Sequence, residues 1–146
     1  MKSVKNLFMS LFMFAFVISG SATANVQKKD VPETLAGTTR ISAEQLIELL
    51  DKHENLVIID SRKPSDRNKG YIEGSVGLPD TDTSPDSLSK HLKTKTTPVV
   101  FFCNGVKCGR SMKASKVAIA DGYKNIYWFR GGWAEWTEKN LPVTKD

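Results

Sequence analysis

The chain is poor in the residues from which metal sites and disulfide frameworks are built, with two cysteines and two histidines in 146 residues. Cys103 and Cys108 have no histidines or carboxylates at ligand spacing beside them, which argues against a zinc site, and neither a metal nor another cofactor is expected. Long apolar runs are equally scarce. The longest, Leu7 to Ile18, has about a dozen residues against the ~20 that a membrane-spanning helix needs. No cluster of basic residues interleaved with aromatics is present, so nucleic acid is not an expected partner. Charge is spread along the chain as 21 basic against 16 acidic residues.

What is present begins with an address. Lys2 and Lys5 precede the short apolar run, and Ser19, Gly20 and Ser21 lead into Ala22-Thr23-Ala24, small at both outer positions. This order predicts a signal peptide over residues 1–24, cut after Ala24, and a periplasmic or secreted protein with no membrane contact after cleavage. Removing Lys2 and Lys5 leaves 19 basic against 16 acidic residues, a mild excess that tolerates a small anionic substrate. The remainder is the size of one domain. Residues 25–38 are polar and aperiodic and read as a loose N-terminal arm, with the folded domain over 39–146.

Within the domain, Ser42 and Gln45 form a capping-box pattern. Ala43, Leu46, Ile47 and Leu50 follow at the spacing of one helix face. Leu56 to Ile59 is a short continuous apolar run, as expected of a strand buried on both faces of a parallel sheet, and Asp60 ends it. Ser61 to Pro85 is dense in Gly, Pro, Asp and Ser, with one short strand expected near Ser75 to Leu78. A helix over Asp86 to Leu92, capped by Ser84 or Asp86, leads to a second buried strand, Val99 to Phe102, with Pro98 before it. Arg110 to Asp121 reads as a helix stopped by Gly122, Asn125 to Phe129 as a strand, and Trp133 to Lys139 as a final helix. Strands alternating with helices imply an α/β domain with a mainly parallel sheet.

The informative segment is the strand ending at Cys103, the loop Asn104-Gly105-Val106-Lys107-Cys108-Gly109, and the helix that starts at Arg110. A loop between a central strand and a helix N-terminus directs backbone N–H groups inward, and the helix dipole adds partial positive charge. Gly105 and Gly109 would permit the backbone angles of such a cradle. A cysteine on its floor is expected to ionise easily, helped by Lys107 and Arg110. No histidine lies near in sequence, since His53 follows the first helix and His91 lies in a polar stretch. A structural disulfide between Cys103 and Cys108 is the competing reading of a secreted pair, although one closing so short a loop constrains the unfolded chain little.

Three ordered motifs now resemble one family. Ile58-Ile59-Asp60-Ser61-Arg62, followed by Gly70-Tyr71-Ile72-Glu73-Gly74-Ser75 and Leu78-Pro79, resembles the N-terminal signature of the rhodanese family. Phe102-Cys103-Asn104-Gly105 through Arg110-Ser111 resembles its active-site loop, and Gly131-Gly132 through Trp136 its closing segment. The resemblance implies a rhodanese-like three-layer domain in which a mainly parallel central sheet is flanked by helices. It also implies a sulfurtransferase in which Cys103 takes sulfane sulfur from thiosulfate or a related small anionic donor. The Cys103 persulfide then passes that sulfur to cyanide or a thiol, including a periplasmic protein thiol. Asn104 to Arg110 form the substrate-binding loop by this carry-over, and Asp60 and Arg62 brace it. Tyr71 departs from the family's usual histidine. Cys108 is a second departure, similar to a secreted subset with a C-N-G-x-K-C loop. It is open between attack on the persulfide, protection of Cys103 and plain packing.

Other functions fit the segment less well. A Cys-x5-Arg phosphatase would need arginine at position 109, where the chain has Gly109. A thiol-disulfide protein using Cys103 and Cys108 remains an alternative, with spacing wider than Cys-x-x-Cys, and so does a non-catalytic binding module of the same fold.

Overall fold

The computed structural model describes residues 30–145, so the signal segment and its cut after Ala24 lie outside the described residues. Five parallel strands form one sheet: β1 (Thr39–Arg40), β2 (Val57–Asp60), β3 (Val76–Gly77), β4 (Val99–Phe102) and β5 (Ile126–Phe129), in the order β1-β5-β4-β2-β3. The helices are α1 (Ala43–Lys52), α2 (Pro64–Arg67), α3 (Pro85–His91), α4 (Arg110–Ala120) and α5 (Gly132–Glu138).

Local chemistry explains most boundaries. The Ser42 side chain accepts from the Gln45 N–H while Gln45 accepts from the Ser42 N–H, a reciprocal cap that contributes about 1 kcal/mol to a helix start. Ser84 and Ser87 do the same for α3. Pro98 offers its carbonyl to the Val57 N–H at 3.0 Å, so the residue before β4 still joins the ladder to β2 as an acceptor. Gly122 ends α4 with φ +86°, where a side chain is disfavoured.

Alternation along the strands builds two cores. Ile59, Val99 and Phe101 pack with Leu88, Ala114 and Ala118 on the face covered by α3 and α4. Ile58, Val100 and Phe102 pack with Leu46, Phe129 and Trp136 on the face covered by α1 and α5. The sheet is therefore buried on both sides, which is why β2 and β4 read as unbroken apolar runs. The connection that leaves β2 runs outward to β3, and the crossover through α4 leaves β4 in the opposite direction, to β5. Cys103 follows β4 at that divergence, where open parallel sheets carry their sites.

Two expectations change. Residues 30–38 are fastened rather than loose: the Arg130 guanidinium donates to the carbonyls of Pro32 (2.8 Å) and Val31 (3.0 Å) and pairs with Glu33 at 3.0 Å. The stretch expected to hold only one short strand also contains α2, a single turn started by Pro64 at its first position. Beside it, Tyr71 and Thr144 exchange backbone hydrogen bonds at 2.9 Å, an antiparallel bridge that brings the C-terminal tail against the domain.

Candidate active site

Phe102 and Asp60 are register partners at the ends of β4 and β2, so the two sequence motifs that end in Asp60 and Cys103 meet at one edge of the sheet. Cys103 is 1% exposed. Its sulfur lies 3.0 Å from the Cys108 carbonyl oxygen and 3.1 Å from Ser111 Oγ. Trp128 Nε1 donates to the same Ser111 oxygen at 2.9 Å. Because an indole N–H can only donate, the Ser111 hydroxyl hydrogen is free to point at sulfur, and the Cys103 S–H points on to the carbonyl. Trp128, Ser111, Cys103 and Cys108 thus form one polar chain. Ser111 entered the sequence analysis only inside the family motif. Its link to Trp128, 17 positions on, had no sequence signal.

The loop is held from its first residues. Trp133 N–H donates to the Cys103 carbonyl at 2.8 Å and Ala134 N–H to the Asn104 carbonyl at 2.9 Å, so the start of α5 clamps the start of the loop. This approach requires glycine at 132, where φ is +54° and an added Cβ would stand 2.2 Å from the Cys103 oxygen. Gly105 and Gly109, expected to supply unusual backbone angles, do not have positive φ. Gly105 is instead a close-approach position, its Cβ direction 3.2 Å from Ala134, whereas nothing crowds Gly109.

The expected easy ionisation of Cys103 is also corrected. The hydrogen bond with the Cys108 sulfur, followed by burial, pushes the Cys103 thiol upward, and the nearby carbonyl acts in the same direction because it accepts from S–H and repels a thiolate. The complementary effect falls on Cys108, held at about 6 by its hydrogen bond with Cys103, by the backbone N–H groups of Arg110 and Asn104, and by the Arg110 charge. The interaction of the two sulfurs thus couples their ionisation, raising one thiol as it lowers the other.

The remaining loop residues divide between anchoring and exposure. Asn104 Nδ2 donates to Asp66 Oδ2 at 3.0 Å, which holds the Asp66 carboxyl below its ordinary value. Arg110 is paired with Asp80 rather than aimed into the cradle. Val106 and Lys107 are exposed. An open pocket of about 390 Å³ is lined by Asn104 to Cys108, so Cys108 forms its wall while Cys103 lies beneath.

Asp60 and Arg62 form a buried bidentate pair at 2.7 and 2.9 Å. Arg62 also donates to the Gly70 carbonyl at 2.8 Å and stacks 4.4 Å over the Trp133 ring. Arg67, which sequence reasoning missed, adds a second guanidinium on Asp60 at 3.1 Å and reaches Ser75. The network joins the loop after β2 to the residue whose N–H holds Cys103. His53 and His91 end α1 and α3 just before β2 and β4, which puts them at the opposite edge of the sheet from Cys103.

A buried cysteine after the central strand of a doubly covered parallel sheet, followed by a six-residue loop that enters a helix, defines a cysteine-loop α/β domain. The chain belongs to the rhodanese-like domain family, whose model matches residues 42–139. It is 31% identical over 97 residues to the thiosulfate sulfurtransferase GlpE of Pseudoalteromonas translucida, covering 66% of this chain and 86% of that protein. It is also 31% identical over 105 residues to the tRNA uridine(34) hydroxylase of Prochlorococcus marinus, covering 66% of this chain and 33% of that one. The solution structure of the polysulfide-sulfur transferase homodimer of Wolinella succinogenes superposes with a TM-score of 0.62 at 25% identity, covering 76% of this chain and 81% of that one.

Proposed function

We propose that the protein is a sulfurtransferase that moves sulfane sulfur from thiosulfate, or a similar small anion, through a persulfide on Cys103. The observation that carries this reading is the buried Cys103 sulfur after β4, 3.1 Å from Ser111 Oγ, with the second thiol, Cys108, in the pocket lined by Asn104 to Cys108. Cys108 takes the Cys103 proton. The Cys103 sulfur then bonds to the outer sulfur of thiosulfate, the bond between the two donor sulfurs breaks, and sulfite leaves with its electron pair. Backbone N–H groups of the loop and the α4 N-terminus stabilise the persulfide anion, and Ser111 donates to its inner sulfur. Cyanide or a thiol then removes the outer sulfur and returns Cys103. A periplasmic protein thiol suits the export predicted from residues 1–24.

The assay is thiocyanate formation from thiosulfate and cyanide, with the covalent step followed by intact mass on the Cys108→Ser protein after prolonged loading. Expected results are turnover by the wild type, none by Cys103→Ser, and a gain of about 32 Da that cyanide removes. Absence of both turnover and adduct refutes the reading, and a disulfide formed on mild oxidation would then favour a thiol-disulfide protein.

A further inference from the structure

In the transfer just described only Cys103 bonds to sulfur, yet the loop holds a second thiol that is able to do so. Cys108 is half-buried in the wall of the open pocket, above the 1%-exposed Cys103. Both are free thiols, and each sulfur is the largest single influence on the ionisation of the other. Cys108 lines that pocket one residue before the Gly109 cap of α4, and its ionisation is drawn down by Cys103, by the backbone N–H groups of Arg110 and Asn104 and by the Arg110 charge, a setting for a nucleophile rather than for a packing residue. We infer that Cys108 is a resolving thiol: it attacks Cys103 Sγ of the persulfide, closes a Cys103–Cys108 disulfide, and expels the outer sulfur as hydrosulfide. The inference rests on the Cys103 persulfide and extends that chemistry to a product that needs no external acceptor.

The step balances within the loop. The proton that Cys108 accepted from Cys103 passes to the outer sulfur of the persulfide anion. The Cys108 sulfur then bonds to Cys103 Sγ while the bond from Sγ to the outer sulfur breaks, and HS⁻ departs. The sulfane sulfur gains two electrons, and the cysteine pair loses two as it becomes a disulfide. A dithiol of the surrounding compartment, small molecule or protein, reduces that disulfide and restores both thiols.

The choice of sulfur under attack separates hydrosulfide release from a mere shift of the persulfide. Attack on the outer sulfur would leave a thiolate on Cys103, buried and 3.0 Å from the Cys108 carbonyl oxygen, where both burial and the carbonyl dipole oppose the charge. Attack on Cys103 Sγ places the leaving charge on the outer sulfur, toward the pocket, and a less basic leaving group departs faster. The loop can follow the sulfur inward. It turns through a bond from the Cys108 N–H to the Gly105 carbonyl at 2.9 Å, and its tip at Val106 and Lys107 is exposed.

The test loads fully reduced protein with thiosulfate, without oxygen or added thiol, and follows intact mass together with free sulfide. The wild type is expected to end about 2 Da below its reduced mass after releasing about one hydrosulfide per chain. Cys108→Ser is expected to stop about 32 Da above its reduced mass and release none. Peptide mapping should place the new bond between Cys103 and Cys108. A wild type that keeps its added sulfur as long as Cys108→Ser does, or equal hydrosulfide from both, overturns the resolving role while leaving sulfur transfer standing. A stable adduct on Cys103→Ser overturns it as well, by making Cys108 the entry thiol. If neither the wild type nor Cys108→Ser gains sulfur and no hydrosulfide appears, the persulfide reading itself fails and takes this inference with it.

Discussion

The loops that leave β2 and β4 start side by side at one edge of the sheet and are held by opposite means. After β2, Asp60 receives two guanidinium groups, and Arg62 and Arg67 carry that hold to Gly70 and Ser75, so charge in the interior fixes a long irregular segment. After β4, the loop is clamped at its base by two N–H groups of α5 and left open at its tip. The domain concentrates its buried charges under the loop after β2 and leaves exposed backbone between the two cysteines after β4. A buried ion network contributes position more reliably than net stability, because desolvation offsets much of its attraction.

The largest break in this comparison is on the β2 side. Asp60→Ala would leave Arg62 and Arg67 without their shared partner. A loss of about 3–5 kcal/mol is expected, read as a lower urea midpoint, with thiocyanate formation falling as the support of Trp133 loosens. On the β4 side, Gly132→Ala forces a Cβ against the Cys103 carbonyl at a positive φ. A loss of about 2–4 kcal/mol is expected there, measured in the same unfolding experiment.

A subtler test concerns the coupled ionisation of the two thiols. With Cys108 at about 6, the pair holds its thiolate above that pH and loses it as pH falls through it. The wild-type rate of persulfide formation should therefore rise through pH 6 and level off near neutrality. In Cys108→Ala the base is gone and burial still pushes Cys103 upward, so the rise should move to or beyond the ordinary thiol value of about 8.5. Stopped single-turnover loading across pH reads the shift. The smallest effect expected is at Gly109→Ala, since φ there is −82° and the nearest atom to the new Cβ is 3.7 Å away. Stability should change by no more than about 0.5 kcal/mol, and a larger loss would show that the junction of the loop with α4 is more constrained than its contacts indicate.

Sequence carried the elements whose causes are local. The Ser42 and Ser84 caps, the apolar runs of β2 and β4 and the stop at Gly122 each follow from a few adjacent residues, and all stand where expected. The turn at Pro64 to Arg67 was hidden because four residues show no periodicity, and Arg67 matters through Asp60 and Ser75, seven and eight positions away. The place of Cys103 between strand and helix was legible in the sequence. The direction of its ionisation was not, because that depends on how the Cys108 side chain and burial meet its sulfur. The arm was read as loose because its partner, Arg130, lies 98 positions from Pro32.

The polar chain that ends on Cys103 begins with an indole. Trp128 is fully buried and its N–H meets Ser111, one hydrogen bond from the Cys103 sulfur. Any change of charge or oxidation at that sulfur alters the field across the ring, and tryptophan emission responds to such fields. The domain thus carries an optical probe fixed beside Cys103, with which the proposed gain and loss of sulfur there can be followed without a label or a coupled enzyme.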